Sequence, residues 1–225
     1  MNPIMRVRGF TLIELLIALT IFGFLIMLAG PQLAQVLANS QVRNGGEALL
    51  NGVQRAQSTA IATNSPTRLV LDPTTGTGGW QILAVDPSDN TVPAPNPATP
   101  CGVRAGPACP AGQTCNPIQQ FCAKDGAADA ALAVTPGGAT AVTFDGFGRV
   151  QCNTTTDASL ACDGSTNLQW VDVTNSRNAS ARALRVCITN QQAPAGIGIA
   201  ASQIKLCDPA APATEPQACP TGCGA

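Results

Sequence analysis

The sequence contains no histidine and no tyrosine, and aromatic residues make up only 4% of its 225 positions. Without histidine, the Ser/His/Asp and Cys/His nucleophile arrangements are excluded. The mixed Cys/His ligand set of many zinc sites goes with them, and no C-x-x-C pair is present either. Charge is scarce too: 11% of residues are Asp, Glu, Lys or Arg, and the formal net charge is −1. Such a balance offers no general attraction to nucleic acid or anionic lipid. Asp145, Asp157, Asp163 and Asp172 are scattered, with no spacing that marks a carboxylate pair. The clusters Gly76-x-Gly78-Gly79 and Gly137-Gly138 lack a phosphate-loop lysine and read as turns. Asp86-Pro-Ser-Asp89-Asn90 reads as a solvated turn in preference to a weak calcium loop. A non-enzymatic chain with no cofactor and no metal is expected.

What the sequence has in abundance is one long apolar run. Residues 10–30 are apolar apart from Thr11, Thr20 and Glu14. As a helix rising about 1.5 Å per residue, the run matches a hydrocarbon core of roughly 30 Å. Arg6 and Arg8 precede it, and after Glu14 no charge follows until Arg43. That asymmetry puts the N-terminus in the cytoplasm and the rest outside. A carboxylate such as Glu14 costs roughly 2–3 kcal/mol in the middle of a bilayer and less near its surface. Gly9 offers a small residue where a protease cuts, and cutting there leaves an ammonium group on Phe10, four residues from Glu14. A secretory signal fits poorly, because a cut after Gly30 would place Pro31 next. A lipoprotein cysteine is absent. A plain anchor accounts for neither Glu14 nor Gly9-Phe10, although Glu14 also suits the positive end of its own helix dipole.

The stretch Arg6-Val7-Arg8-Gly9-Phe10-Thr11-Leu12-Ile13-Glu14-Leu15-Leu16-Ile17-Ala18-Leu19 resembles the class III signal of the type IV pilin superfamily. The resemblance implies cleavage between Gly9 and Phe10 by a prepilin peptidase, then N-methylation of Phe10. It also implies that Glu14 neutralises the Phe10 amine of a neighbouring pilin in a helical filament. The apolar run is then a membrane anchor first and the filament core later. Loss of Arg6 and Arg8 with the leader takes the formal charge from −1 to −3.

The expected organisation is a leader over 1–9, a transmembrane and filament-core helix over 10–30, and an amphipathic helix over 31–63. A β-rich domain follows over 64–207, then a Pro/Ala-rich tail over 208–225. Pro31 removes a backbone donor and should bend the helix. Beyond it, Leu33, Val36, Leu37, Leu49, Val53, Ala56 and Ala60 recur at helical spacing. Gly45, Gly46 and Gly52 each weaken that helix by up to about 1 kcal/mol relative to alanine. Asn64-Ser65-Pro66 ends it. Strand signals cover 67–71, 80–85, 141–144, 148–152, 168–174 and 183–189, with further apolar positions at Ile197 and Ile199.

All ten cysteines lie beyond the anchor, in the compartment where disulfides form: Cys101, Cys109, Cys115, Cys122, Cys152, Cys162, Cys187, Cys207, Cys219 and Cys223. Disulfides are therefore expected in preference to metal ligation. The first four fall in a proline-rich insertion over about 86–130, and their pairing stays open among three connectivities. Cys152 with Cys162 would close one loop, and Cys187 with Cys207 would tie the last strands. Cys219 and Cys223 form a local ring or reach elsewhere.

The order of features extends the resemblance. Arg55-Ala56-Gln57-Ser58-Thr59-Ala60-Ile61, a Thr67-Arg68-Leu69-Val70-Leu71 strand, Thr143-Phe144-Asp145-Gly146-Phe147-Gly148-Arg149 and Leu184-Arg185-Val186-Cys187-Ile188 look like the GspH/FimT group. These are minor pseudopilins of type II secretion and minor pilins of type IV pili. The insertion and the cysteine-bearing tail depart from that pattern. The resemblance implies an α+β fold: a long helix, half transmembrane and half amphipathic, packed on an antiparallel pilin-like sheet domain with a disulfide-rich insertion. It implies an inner-membrane subunit with a periplasmic domain that assembles with other pilins and primes or caps a filament. Some minor pilins of the group act in DNA uptake. Arg177, Arg182, Arg185 and Lys205 are the only basic-leaning region here and the candidate nucleic-acid contacts.

Overall fold

A computed structural model describes residues 10–71, 79–84, 118–122, 125–135, 139, 141–151, 168–189, 202–220 and 222–223. The chain divides into two compact units, Met1–Leu37 and Ala38–Ala225. One helix, α1 (Leu12–Thr63), supplies both. Nine strands follow among the described residues: β1 (Thr67–Leu71), β2 (Trp80–Ala84), β3 (Gln119–Phe121), β4 (Ala130–Thr135), β5 (Ala141–Phe144), β6 (Val150–Gln151), β7 (Trp170–Asn175), β8 (Leu184–Thr189) and β9 (Gln203–Cys207).

In the first unit, every described side chain of residues 10–37 is exposed. The helix begins with Thr11 as its cap, whose Oγ1 accepts the backbone N–H of Glu14 at 3.3 Å. Leu33, Val36 and Leu37, expected on the packed face, are exposed. They belong to this first unit and precede the residues that meet the sheets.

In the second unit, burial of α1 begins at Ala38 and returns at Val42, Gly45, Gly46, Leu49, Gly52, Val53, Ala56 and Ala60. The intervals of three and four place all of these on one face. The helix stops where Asn64 adopts a left-handed conformation (φ 48°), with the Ser65 N–H donating to Ala60 O at 3.2 Å. That closes the last turn, and Pro66 prevents continuation.

The strands form two antiparallel sheets, ordered β3-β2-β1-β5-β6 and β4-β7-β8-β9. Alternation along each strand sends one set of side chains to the helix. Leu69, Leu71, Ile82, Val142 and Phe144 come from the first sheet, and Val171, Val173, Val186 and Ile188 from the second. They join the buried face of α1 in one hydrophobic cluster. Val70, Leu83 and Ala141 form a small separate cluster from the opposite face of the first sheet. Gln57 ties the layers further, its Nε2 donating to Gly148 O at 2.7 Å and to Ser202 O at 3.1 Å.

Several expectations change. Of the segment assigned to 148–152, the described residues pair at β6, because Asp145 organises the residues before it into a turn; Cys152 lies outside the described residues. Its Oδ1 accepts the backbone N–H of both Phe147 and Arg149 at 2.9 Å. β4 and β9 were not among the expected strands, and β3 lies inside the proline-rich insertion. Ile197 and Ile199 lie outside the described residues.

Gly52 also changes meaning. Read by propensity it weakens the helix, yet a Cβ there would come within 2.6 Å of Trp80 Cε2. Its lack of a side chain lets the indole lie against the helix. Gly52→Ala should therefore destabilise the domain by about 1–3 kcal/mol through overpacking, seen as a lower thermal midpoint. A gain in midpoint would show that propensity outweighs packing at this position.

Candidate functional site

The candidate assembly segment is the start of α1. Phe10 is 84% exposed and Glu14 stands in the first helical turn. Glu14 has no ion-pair partner among the described residues. Gly9, Arg6 and Arg8 lie outside those residues, as does the whole leader. Pro31 lies within α1. No single helix among the described residues is long and apolar enough to cross a membrane, but Leu12–Met27 and Gln32–Thr63 together meet the length and composition required. An apolar surface with one unpartnered carboxylate can be buried only by something outside its own unit, either lipid or other helices.

The four basic candidates for nucleic-acid contact have partners within the domain. Arg177 pairs with Asp129 at 2.8 Å, and Arg182 pairs with the buried Asp208. Arg185 forms a two-pronged pair with Asp172, from Nε at 2.6 Å and Nη2 at 3.0 Å. The Arg185 guanidinium also lies over the Trp170 ring, 5.2 Å from its centroid. Lys205 Nζ donates to Ala218 O at 3.2 Å. Three of the four charges thus have carboxylate partners, which leaves one excess positive charge in the group to attract phosphate. Arg68, in β1, donates from Nε to Thr143 Oγ1 at 2.7 Å, and burial pushes its pKa down to about 10.

The cysteines pair in a way that their spacing left open. Cys187 bonds to Cys223, and Cys207 bonds to Cys219, with Cα separations of 6.1 and 5.0 Å. The expected Cys187–Cys207 link is not made. β8 and β9 hold those residues diagonally on one face, Cys187 opposite Lys205 and Cys207 opposite Arg185, and the tail supplies a partner to each. Cys122 is also disulfide-bonded. Cys101, Cys109, Cys115, Cys152 and Cys162 lie outside the described residues. Among the described residues, no cluster of three His, Cys, Asp or Glu side chains is placed to hold a metal ion.

Residues 4–30 match the prokaryotic N-terminal methylation motif. Residues 46–192, more than half of the chain, match the type II transport protein GspH family. The chain belongs to the GspH family. The match spans the second part of α1 and β1 to β8, and it brackets the insertion. The methylation motif covers the exposed apolar start of α1, so the two matches together describe a pilin-like minor pseudopilin. β9 and the cysteine-bearing tail lie beyond the GspH match. No curated protein and no solved structure matches the chain.

With its arginines paired, this GspH protein should not retard duplex DNA at physiological ionic strength, about 0.15 M. Gel-shift titration of the full chain in detergent checks this. Salt-dependent retardation that is lost on replacing Arg182 and Arg185 would contradict it.

Proposed function

We propose that this pseudopilin is inserted in the bacterial inner membrane with its second unit in the periplasm. Prepilin peptidase cuts it between Gly9 and Phe10, and Phe10 is N-methylated. The subunit then joins other pilins or pseudopilins in a helical filament, where it primes or caps assembly in a type II secretion system or type IV pilus. Bundling covers the exposed apolar side chains of α1. It also places the Glu14 carboxylate beside the Phe10 ammonium of a neighbour. The single observation that supports this reading is the exposure of every described side chain from Phe10 to Leu37, around one carboxylate with no ion-pair partner among the described residues.

A pair formed in a low-dielectric bundle is costly to break from one side, by about 3 kcal/mol or more. Glu14→Ala should leave membrane insertion intact and reduce recovery in sheared filaments by about a hundredfold. The same recovery as wild type would reduce Glu14 to a local role at the positive end of its own helix dipole and overturn the pairing.

A further inference from the structure

The outer face of the second sheet carries two rows of side chains pointing away from α1. Register places Trp170 opposite Cys187 and Cys187 opposite Lys205; in the next row Asp172 faces Arg185 and Arg185 faces Cys207. The tail meets both rows. Cys223 bonds to Cys187 and its carbonyl accepts from Arg185 Nη1 at 2.6 Å, while Cys219 bonds to Cys207 and Ala218 O accepts from Lys205. Cys187, Cys207 and Cys223 form a buried cluster of their own, with Trp170 and Cys219 packed against it.

The tail has no large apolar anchor; its buried apolar residues are Ala218 and the bridged Cys223. Residues 208–223 contain no leucine, isoleucine, valine, methionine or aromatic residue. Hydrophobic burial is the term that normally holds a segment against a domain. Here its place is taken by two covalent bonds and by polar contacts, among them Arg182 with the buried Asp208 and with Gln217, too few to offset the entropy of ordering so long a segment. The face beneath combines a tryptophan with an arginine, the residue types most enriched at protein-binding hot spots.

We propose that the C-terminal tail is a redox-latched cover: while both bridges are closed it occludes the Trp170–Arg185 face, and reduction of the bridges by a dithiol releases it. Each opening is a two-electron exchange. A thiolate of the dithiol attacks one sulfur of the bridge and expels the other as a thiolate, which takes up a proton. The second thiol of the reductant then displaces the remaining cysteine, leaving two protein thiols and an oxidised, disulfide-bonded reductant. The order is set by access. Cys219 is partly exposed whereas Cys187, Cys207 and Cys223 are buried, so Cys207–Cys219 opens first and Cys187–Cys223 second.

The test uses the full chain in detergent, titrated with dithiothreitol under native conditions. Freed thiols are trapped with iodoacetamide and mapped by mass spectrometry. Acrylamide quenching of tryptophan fluorescence is read alongside. The expected result is alkylation of Cys207 and Cys219 before Cys187 and Cys223. Once all four are trapped, quenching should rise severalfold with unchanged far-UV circular dichroism, and the rise should be absent in Trp170→Phe. A variant with all four cysteines replaced by serine should show the high quenching without reductant. Unchanged quenching after both bridges have opened would overturn the proposal. So would loss of secondary structure with their opening, or failure to trap any of the four thiols short of unfolding.

Discussion

Apolar side chains that their own unit does not bury set the terms for the rest of this molecule. From Phe10 to Leu37 every described side chain is exposed, including large ones such as Leu12, Phe24 and Met27. Water penalises that surface in proportion to its area, at about 25 cal/mol per Å². Lipid removes the penalty, and so does a bundle of like helices. Glu14 separates the two environments, because a carboxylate gains in a bundle only if a cation meets it there. The amine released at Phe10 is that cation in the proposed filament.

The second half of α1 solves a different problem with a different composition. Its buried face alternates small residues with medium ones: Gly45, Gly46 and Gly52 beside Val42, Leu49 and Val53. Small residues let two sheets approach the helix closely. A Cβ at Gly45 would lie 3.1 Å from Ala130 Cβ, and one at Gly46 3.3 Å from Leu206 Cδ1. The outer face of the second sheet is secured by covalent means. Bridges spanning 12 and 36 residues contribute about 3 and about 4 kcal/mol in the chain-entropy description. An alanine- and proline-rich tail could not supply that from burial.

Much of this was legible in the residues. Phe10 to Thr63 reads as a helix from its apolar run, its periodic face and the Asn64-Ser65-Pro66 stop, and α1 spans Leu12–Thr63. β1, β5 and β8 stand out by their β-branched and apolar content. β4 does not, because Ala130, Ala131 and Ala133 carry a weak strand preference that pairing with β7 overrides. β9 was readable in principle, since Ile204 and Leu206 alternate with Gln203 and Lys205. The tail was opaque. Nothing local distinguishes a ring between Cys219 and Cys223 from bonds to strands, and it is the path of the tail back to β8 and β9 that brings each to a strand cysteine. The ion pairs of the basic group were not legible for a related reason. Arg177, Arg182 and Arg185 cluster in sequence, but their partners Asp129, Asp208 and Asp172 arrive from other elements.

The central claim is that the apolar helix is exposed for assembly after its leader is removed. Intact-mass and N-terminal peptide mass spectrometry of the protein recovered from the membrane tests it most directly. The account predicts a chain that begins at Phe10 and carries one methyl group on its amine. A chain that retains residues 1–9, or that starts beyond Gly30, would contradict it.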